Sequence, residues 1–268
     1  MKFSREGELI QWALNAGRLG LFLDYDGTLV DFSPTPDRLD PDPKVVNLLG
    51  RIAKKPNICT AVISGRRLHD LRMLLPIQGL YLGGTYGLEL FTPSGETVYR
   101  ADYAAVRPVL ETIKRSWELI LSGRSGFFLE DKGWSLALHA RFAGDVEAAQ
   151  VFAAARRAVD PEKLAGRFRI LGGHKFLEVA PLLASKREAV LYLLSQSPFS
   201  GARCLYIGDD DKDEEAFPVI HEHGGAAVKV AQPSQSASLT AADYIFESPK
   251  ETIHWLESLV SRKNVFHP

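Results

Sequence analysis

Two short clusters of acids carry most of the chemistry this sequence advertises. Asp24-Tyr25-Asp26-Gly27-Thr28 follows an apolar run and sets two carboxylates two residues apart, and Gly27 supplies the backbone freedom of a loop. Acids that close repel unless a proton or a cation offsets them, so the pair implies a shifted pKa or a metal ion. Gly208-Asp209-Asp210-Asp211-Lys212-Asp213-Glu214-Glu215 adds further oxygen donors after another apolar run. Hard oxygen ligands of this kind suit Mg²⁺. A calcium loop beginning at Asp209 would need glycine at its sixth position and glutamate at its twelfth. The chain has Glu214 and Ile220 there, so that reading fails. A third polar cluster, Ser64-Gly65-Arg66, closes the run Ile58 to Ile63. Each cluster alone also reads as ordinary turn and capping chemistry; their ordered occurrence at three strand ends favours a site.

The runs before these clusters, Leu21 to Leu23, Ile58 to Ile63 and Cys204 to Ile207, are almost continuously apolar, as strands buried on both faces of a parallel sheet are. Helical spacing lies between them: Val45, Leu48, Leu49 and Ile52 after Pro41-Asp42-Pro43, and Val190, Leu193 and Leu194 after Ser185, a fitting N-cap. Ala226 to Val230 and Tyr244 to Phe246 read as two more strands, with a closing helix through Ile253 to Val260. Alternating strand and helix predicts an α/β, Rossmann-like parallel-sheet core.

The middle differs. A hairpin around Pro93-Ser94-Gly95, a helix over Val109 to Leu121, strand character from Gly126 to Arg141, a helix over Val146 to Val159 and a strand over Phe168 to Glu178 predict a smaller α+β domain. The expected division is 1–88 with 180–268 as core and 89–179 as insertion. In open parallel sheets ligands bind beyond the carboxyl ends of the strands, where all three clusters fall.

Composition narrows the classes. With 32 Lys+Arg against 33 Asp+Glu the net charge is −1, which leaves no footprint for nucleic acid, and 46% hydrophobic residues exclude a disordered chain. Two cysteines, Cys59 and Cys204, sit in apolar runs and form no disulfide framework. Neither a secretory leader nor a membrane-length apolar run is visible, so a cytoplasmic protein is expected, with no membrane partner and as a monomer.

Asp24-Tyr25-Asp26-Gly27-Thr28-Leu29, Ser64-Gly65-Arg66, Lys186 and Gly208-Asp209-Asp210-Asp211-Lys212-Asp213 resemble the four ordered motifs of the haloacid dehalogenase superfamily of phosphatases. The insertion between the second and third motifs resembles its α/β cap of the second type. Glu130 to Arg141, Gly173 to Pro181 and Gly208 to Phe217 further resemble the trehalose-6-phosphate phosphatase family.

That resemblance implies roles. Asp24 is the nucleophile that becomes an aspartyl-phosphate, and Asp26 protonates the leaving sugar oxygen and then activates water. Mg²⁺ is held by Asp24, the Asp26 carbonyl and Asp209, with Asp213 in support. Ser64 bonds the phosphoryl group and Lys186 offsets its charge, although singly Ser64 reads as a helix N-cap and Lys186 as a solvated first-turn lysine. In the cap, Glu130, Lys132 and Glu178 grip sugar hydroxyls, and Arg66 reaches phosphate or sugar. The cap is expected to open and close over a small sugar phosphate. The chain departs from the family pattern at Tyr86, Leu88, Lys212 and His174, the last standing where a sugar-binding lysine is usual; Lys175 is one residue late. Those departures keep two alternatives in play: a phosphatase for another sugar phosphate, such as a glucosyl- or mannosyl-phosphoglycerate or a hexose 6-phosphate, and a non-catalytic sugar-phosphate sensor.

Overall fold

The computed structural model describes residues 2–31, 39–159, 166–173, 175–232 and 239–261. They fall into two compact units, 1–98 with 185–268, and 99–184.

The first unit is built on an eight-stranded sheet. Its strands are β1 (Leu19–Leu23), β2 (Ile58–Ile63), β3 (Tyr81–Gly84), β4 (Glu89–Phe91), β5 (Thr97–Tyr99), β10 (Arg203–Gly208), β11 (Ala226–Val230) and β12 (Tyr244–Phe246), in the order β12-β11-β10-β1-β2-β3-β4-β5. The six from β12 to β3 run parallel, and β4 turns back antiparallel on β3. The Rossmann-like α/β expectation therefore holds. Every residue of β1 is buried, because side chains leave a strand alternately and both faces are covered. Leu21 and Leu23 join one core with Leu9, Leu49, Leu71 and Trp255; these come from α1 (Glu6–Leu14), α2 (Pro43–Ile52), α3 (Leu68–Leu74) and α9 (Pro249–Ser261). Phe22 points the other way, to Val190 and Leu193 of α6 (Lys186–Leu194) and to Phe217 and Ile220 of α8 (Phe217–Glu222). Asp42 caps α2, accepting from the Lys44 amide at 2.8 Å with Pro43 in the first turn.

Chain order in the sheet runs outward from β1 to β2 and β3 on one side, and from β10 to β11 and β12 on the other. The order reverses between β1 and β10, which is the switch point where such sheets leave a crevice beyond their carboxyl ends.

The second unit holds a four-stranded antiparallel sheet, β6 (Phe128–Asp131), β7 (Leu136–His139), β9 (Phe176–Pro181) and β8 (Phe168–Gly173) in that spatial order, with α4 (Tyr103–Leu121) and α5 (Asp145–Ala158). Val106, Leu110, Ile113 and Trp117 form the buried stripe of α4, and the Trp117 indole donates to the Ala155 carbonyl of α5 at 3.0 Å.

Three expectations shift. The 89–99 hairpin belongs to the core sheet, since Leu82, Gly83 and Gly84 pair with Phe91, Leu90 and Glu89, so the first unit reaches residue 98 and not 88; it resumes at 185 and not 180. Helix α4 starts at Tyr103, not Val109, because Asp102 caps its first turn and Pro108 is carried inside the helix. The strand expected over Phe168 to Glu178 is a hairpin, β8 pairing with β9 from Gly173↔Phe176 to Phe168↔Pro181, with Lys175 at φ 52° in the turn.

Candidate active site

The Asp24 amide donates to the Ile207 carbonyl at 3.0 Å, so this residue extends the β1–β10 pairing one step past the end of β1. The chain then closes on itself: the Leu29 and Val30 amides donate to the Tyr25 carbonyl, and the Gly27 amide to Val30 at 2.7 Å. Gly27 has φ +79°, a conformation side chains resist. Gln232, beyond β11, donates to the Gly27 carbonyl at 2.7 Å and holds the loop from the far side.

Lys186 opens α6 and is 2% exposed, so the solvated-lysine reading is wrong. Its Nζ lies 2.8 Å from Asp24 Oδ1 and 2.6 Å from Asp213 Oδ1. Burial works against its ammonium, but Asp213 and Asp24 outweigh it and hold the pKa well above the ordinary lysine value. Asp213 is wholly buried and committed to protein donors. Oδ1 accepts from Lys186 and from the Tyr206 hydroxyl at 2.7 Å; Oδ2 accepts from the Asp209 and Asp210 amides, each at 3.1 Å. Asp213 sits in α7 (Asp211–Glu214), whose N-cap is Asp210. Its carboxylate comes so close beneath β10 that a Cβ on Gly208 would stand 2.2 Å from Asp213 Cγ; only glycine fits.

Asp209 is the unsatisfied member. Oδ1 accepts weakly from Thr28 at 3.4 Å, and Oδ2 is buried without a hydrogen-bond partner. Burial first, then Asp24, pushes its carboxyl up to about 10, and burial raises that of Asp24 as well, against the pull of Lys186. Asp24, Asp209 and Asp213 each offer an oxygen within 4.8 Å of the others. One lysine cannot offset this many acids, and an orphaned carboxylate oxygen beside a second carboxylate is the donor set a hard divalent cation fits.

Ser64 and Arg66 come from the loop after β2. Ser64 is buried, its amide donating to Gly83 and its carbonyl accepting from Tyr86, both at 2.8 Å, while the Thr85 amide donates to the Arg66 carbonyl at 2.7 Å. Thr85 and Tyr86 have φ of 48° and 57°, a strained left-handed turn under the loop, and a Cβ on Gly65 would meet the Tyr86 ring at 2.9 Å. Ser64 caps no helix, since α3 begins after Arg67, so the capping reading is also overturned. Arg66 faces Asp26: Nε to Oδ2 is 2.6 Å and Nη2 to Oδ1 is 2.7 Å.

The second unit gathers polar side chains on one sheet face. Glu130, Ala137 and Glu178 pair across β6, β7 and β9. Glu178 is fully buried, accepting from the Ser135 hydroxyl at 2.5 Å, with Lys132 Nζ 3.3 Å away. Glu130 meets His139 at 3.0 Å, and by register Phe128, Phe176 and Arg169 share the face. The opposite face carries the buried Leu136, Leu138, Leu177 and Val179, and Asp131 is gripped there by Arg107 of α4 at 2.7 Å. Lys175 stands apart from the polar face group, donating to the Ala143 carbonyl at 2.8 Å and pairing with Asp145 at 2.9 Å. His174 lies outside the described residues.

Sequence reasoning gave no individual role to Thr28, Asp210, Ser135, His139 or Tyr206. The signal for Tyr206 was a phenol inside an apolar run; a buried hydroxyl needs a partner, and Asp213 is it.

The trehalose-phosphatase family model matches residues 22–250. The chain belongs to the trehalose-phosphatase family. A family relative described as a probable trehalose-phosphate phosphatase of Sinorhizobium fredii is 31% identical over 231 residues, 84% of this chain and 80% of that protein. A trehalose-phosphate phosphatase of Mycobacterium tuberculosis is 31% identical over 250 residues, 92% of this chain, which spans 62% of that protein's length. Among solved structures, the C-terminal domain of a C. albicans trehalose-6-phosphate phosphatase superposes with a TM-score of 0.82 at 20% identity, covering 97% of this chain and 98% of that one; it shares the fold. The resemblance to the trehalose-phosphatase family is thus borne out. Among the described residues no helix is long and apolar enough to cross a membrane.

Proposed function

We propose that this trehalose-phosphatase-family chain is a Mg²⁺-dependent phosphatase that hydrolyses trehalose 6-phosphate to trehalose and inorganic phosphate. The observation that carries this reading is the switch-point cluster: Asp24 held by Lys186 at 2.8 Å beside Asp209 with its orphaned oxygen. An Asp24 carboxylate oxygen attacks phosphorus as the bond to the sugar oxygen breaks, and Asp26 gives that oxygen a proton. Asp26 then takes a proton from water, which attacks the acyl phosphate, releases phosphate and restores Asp24. Asp24, the Asp26 carbonyl and Asp209 would hold Mg²⁺, with Asp213 fixing the loop behind them; when bound the ion supplies the positive charge that lets a carboxylate approach a phosphate. Lys186 supplies fixed charge at the same place, and the Ser64 hydroxyl of the second motif donates a hydrogen bond to the phosphoryl group.

The polar sheet face of the second unit is the sugar-recognition surface in this reading, with Glu130, Lys132 and Glu178 as hydroxyl partners. Charged groups left unpaired by a wrong sugar discriminate strongly. The engagement of Lys175 with Ala143 and Asp145 favours, as a second reading, another sugar phosphate as substrate. A small-molecule substrate, a monomer and a cytoplasmic setting complete the proposal.

Phosphate release from trehalose 6-phosphate, hexose 6-phosphates and glycosyl-phosphoglycerates decides between them. Trehalose 6-phosphate should give the highest kcat/KM, and equal rates across the panel overturn the sugar assignment. Asp24→Asn should abolish release, and retained release overturns the nucleophile.

A further inference from the structure

Asp26 and Arg66 form a two-pronged ion pair. The planar guanidinium meets the carboxylate fork to fork, at 2.6 and 2.7 Å, so both Asp26 oxygens accept a charged donor. The pair is largely screened from water, the two side chains being 15% and 21% exposed. The main chain of Arg66 is pinned on both sides, its amide 3.2 Å from Ser64 Oγ and its carbonyl bonded to Thr85. Rearrangement is therefore left to its long side chain. A phosphoryl group presents the guanidinium with the same pair of anionic oxygens as a carboxylate.

We propose that Arg66 exchanges partners: its guanidinium releases Asp26 and takes two oxygens of an entering phosphoryl group, and Asp26 is thereby freed to turn to the leaving oxygen. The second half rests on the phosphatase reading above; the exchange itself does not require turnover. Phosphate must then break the ion pair in order to bind, so the pair subtracts from phosphate affinity. Removing the Asp26 charge tightens phosphate by two routes, less repulsion and a released Arg66. Only the second depends on Arg66.

The test is a double-mutant cycle read by calorimetric binding of inorganic phosphate to the full chain with Mg²⁺ present. Asp26→Asn should bind phosphate about 10-fold more tightly than the unaltered protein, the worth of a charged hydrogen bond, and Arg66→Gln about 10-fold more weakly. On the Arg66→Gln background, Asp26→Asn should change the affinity by no more than about 3-fold. Equal tightening with and without Arg66, or unaltered phosphate binding in Arg66→Gln, overturns the proposal. Should the variants fail to fold, a crystal structure of the unaltered protein with orthovanadate decides: a broken Arg66–Asp26 pair supports the exchange, and an intact one overturns it. Coupling in this cycle without hydrolysis of trehalose 6-phosphate would discard the substrate assignment and leave the exchange standing.

Discussion

Lys186 stands 2.8 Å from Asp24 in a site that water barely reaches, so the carboxylate and its counter-charge are fixed before any ligand arrives. This is preorganisation of charge, which acts most strongly in a dry cleft. Lys186→Met keeps most of the length of the side chain and leaves Asp24 and Asp213 without the ammonium that joins them. Stripping one partner from a buried ion cluster costs about 3–5 kcal/mol. Urea unfolding should register a loss of that order, and phosphate release should fall by at least about 100-fold. A variant as stable and as active as the parent would remove Lys186 from the site.

Gly208→Ala puts a Cβ 2.2 Å from Asp213 Cγ, among buried atoms that have no room to yield. The carboxylate must move, and with it the acceptor of the Asp209 and Asp210 amides. Activity should drop by about two orders of magnitude, as a displacement of about 1 Å at a reacting centre does. Steady-state kinetics on the folded variant, with circular dichroism to show the sheet intact, checks this.

Magnesium should stabilise the protein against heat, because a ligand that binds only the folded state adds about 2.7 kcal/mol at a hundred times its Kd. Thermal melts across a Mg²⁺ series should show a rising Tm, and Asp209→Ala should abolish the rise without abolishing folding. An identical rise in the variant would place the ion elsewhere.

In the second unit Asp131 has its pKa depressed, first by the Arg107 hydrogen bonds, then by the Gly133 amide and Lys114. A carboxylate with a depressed folded value contributes stability that is fully present above its unfolded value of 3.8 and is lost as pH falls below it. Unfolding free energy should therefore decline as acid is added below that value, and Asp131→Asn should flatten part of the decline. Denaturant titrations at a series of pH values from neutral into acid measure both curves.

What the sequence discloses and what it conceals divide along physical lines. β1, β2 and β10 are legible because a strand covered on both faces is apolar at nearly every position, the buried Thr60 being an exception, and Asp24, Ser64 and Asp209 are legible because they end those runs. The 89–99 hairpin is not, because an edge strand pairs on one side only and its own residues do not name the sheet it joins. Lys186 shows the deeper limit. In the chain it is an ordinary first-turn lysine; its burial exists only once Asp24 and Asp213, from other segments, close around it. The Arg66–Asp26 pair is likewise invisible to spacing, since it depends on β1 and β2 lying side by side, and Tyr206 hides because a phenol in a strand looks like any other large apolar residue.

β1 has β2 on one side and β10 on the other, and the whole second unit is translated between β2 and β10. A growing polypeptide thus exposes one open edge of β1 for as long as it takes to make more than a hundred further residues, an interval in which an unpaired apolar strand invites wrong partners. Pairing with β10 closes that edge and sets Asp209, with Asp213 on the short helix behind it, beside Asp24. A chain that stops before β10 therefore carries the Asp24 loop without its acidic partners, and β11 and β12 extend the sheet only after those partners are made.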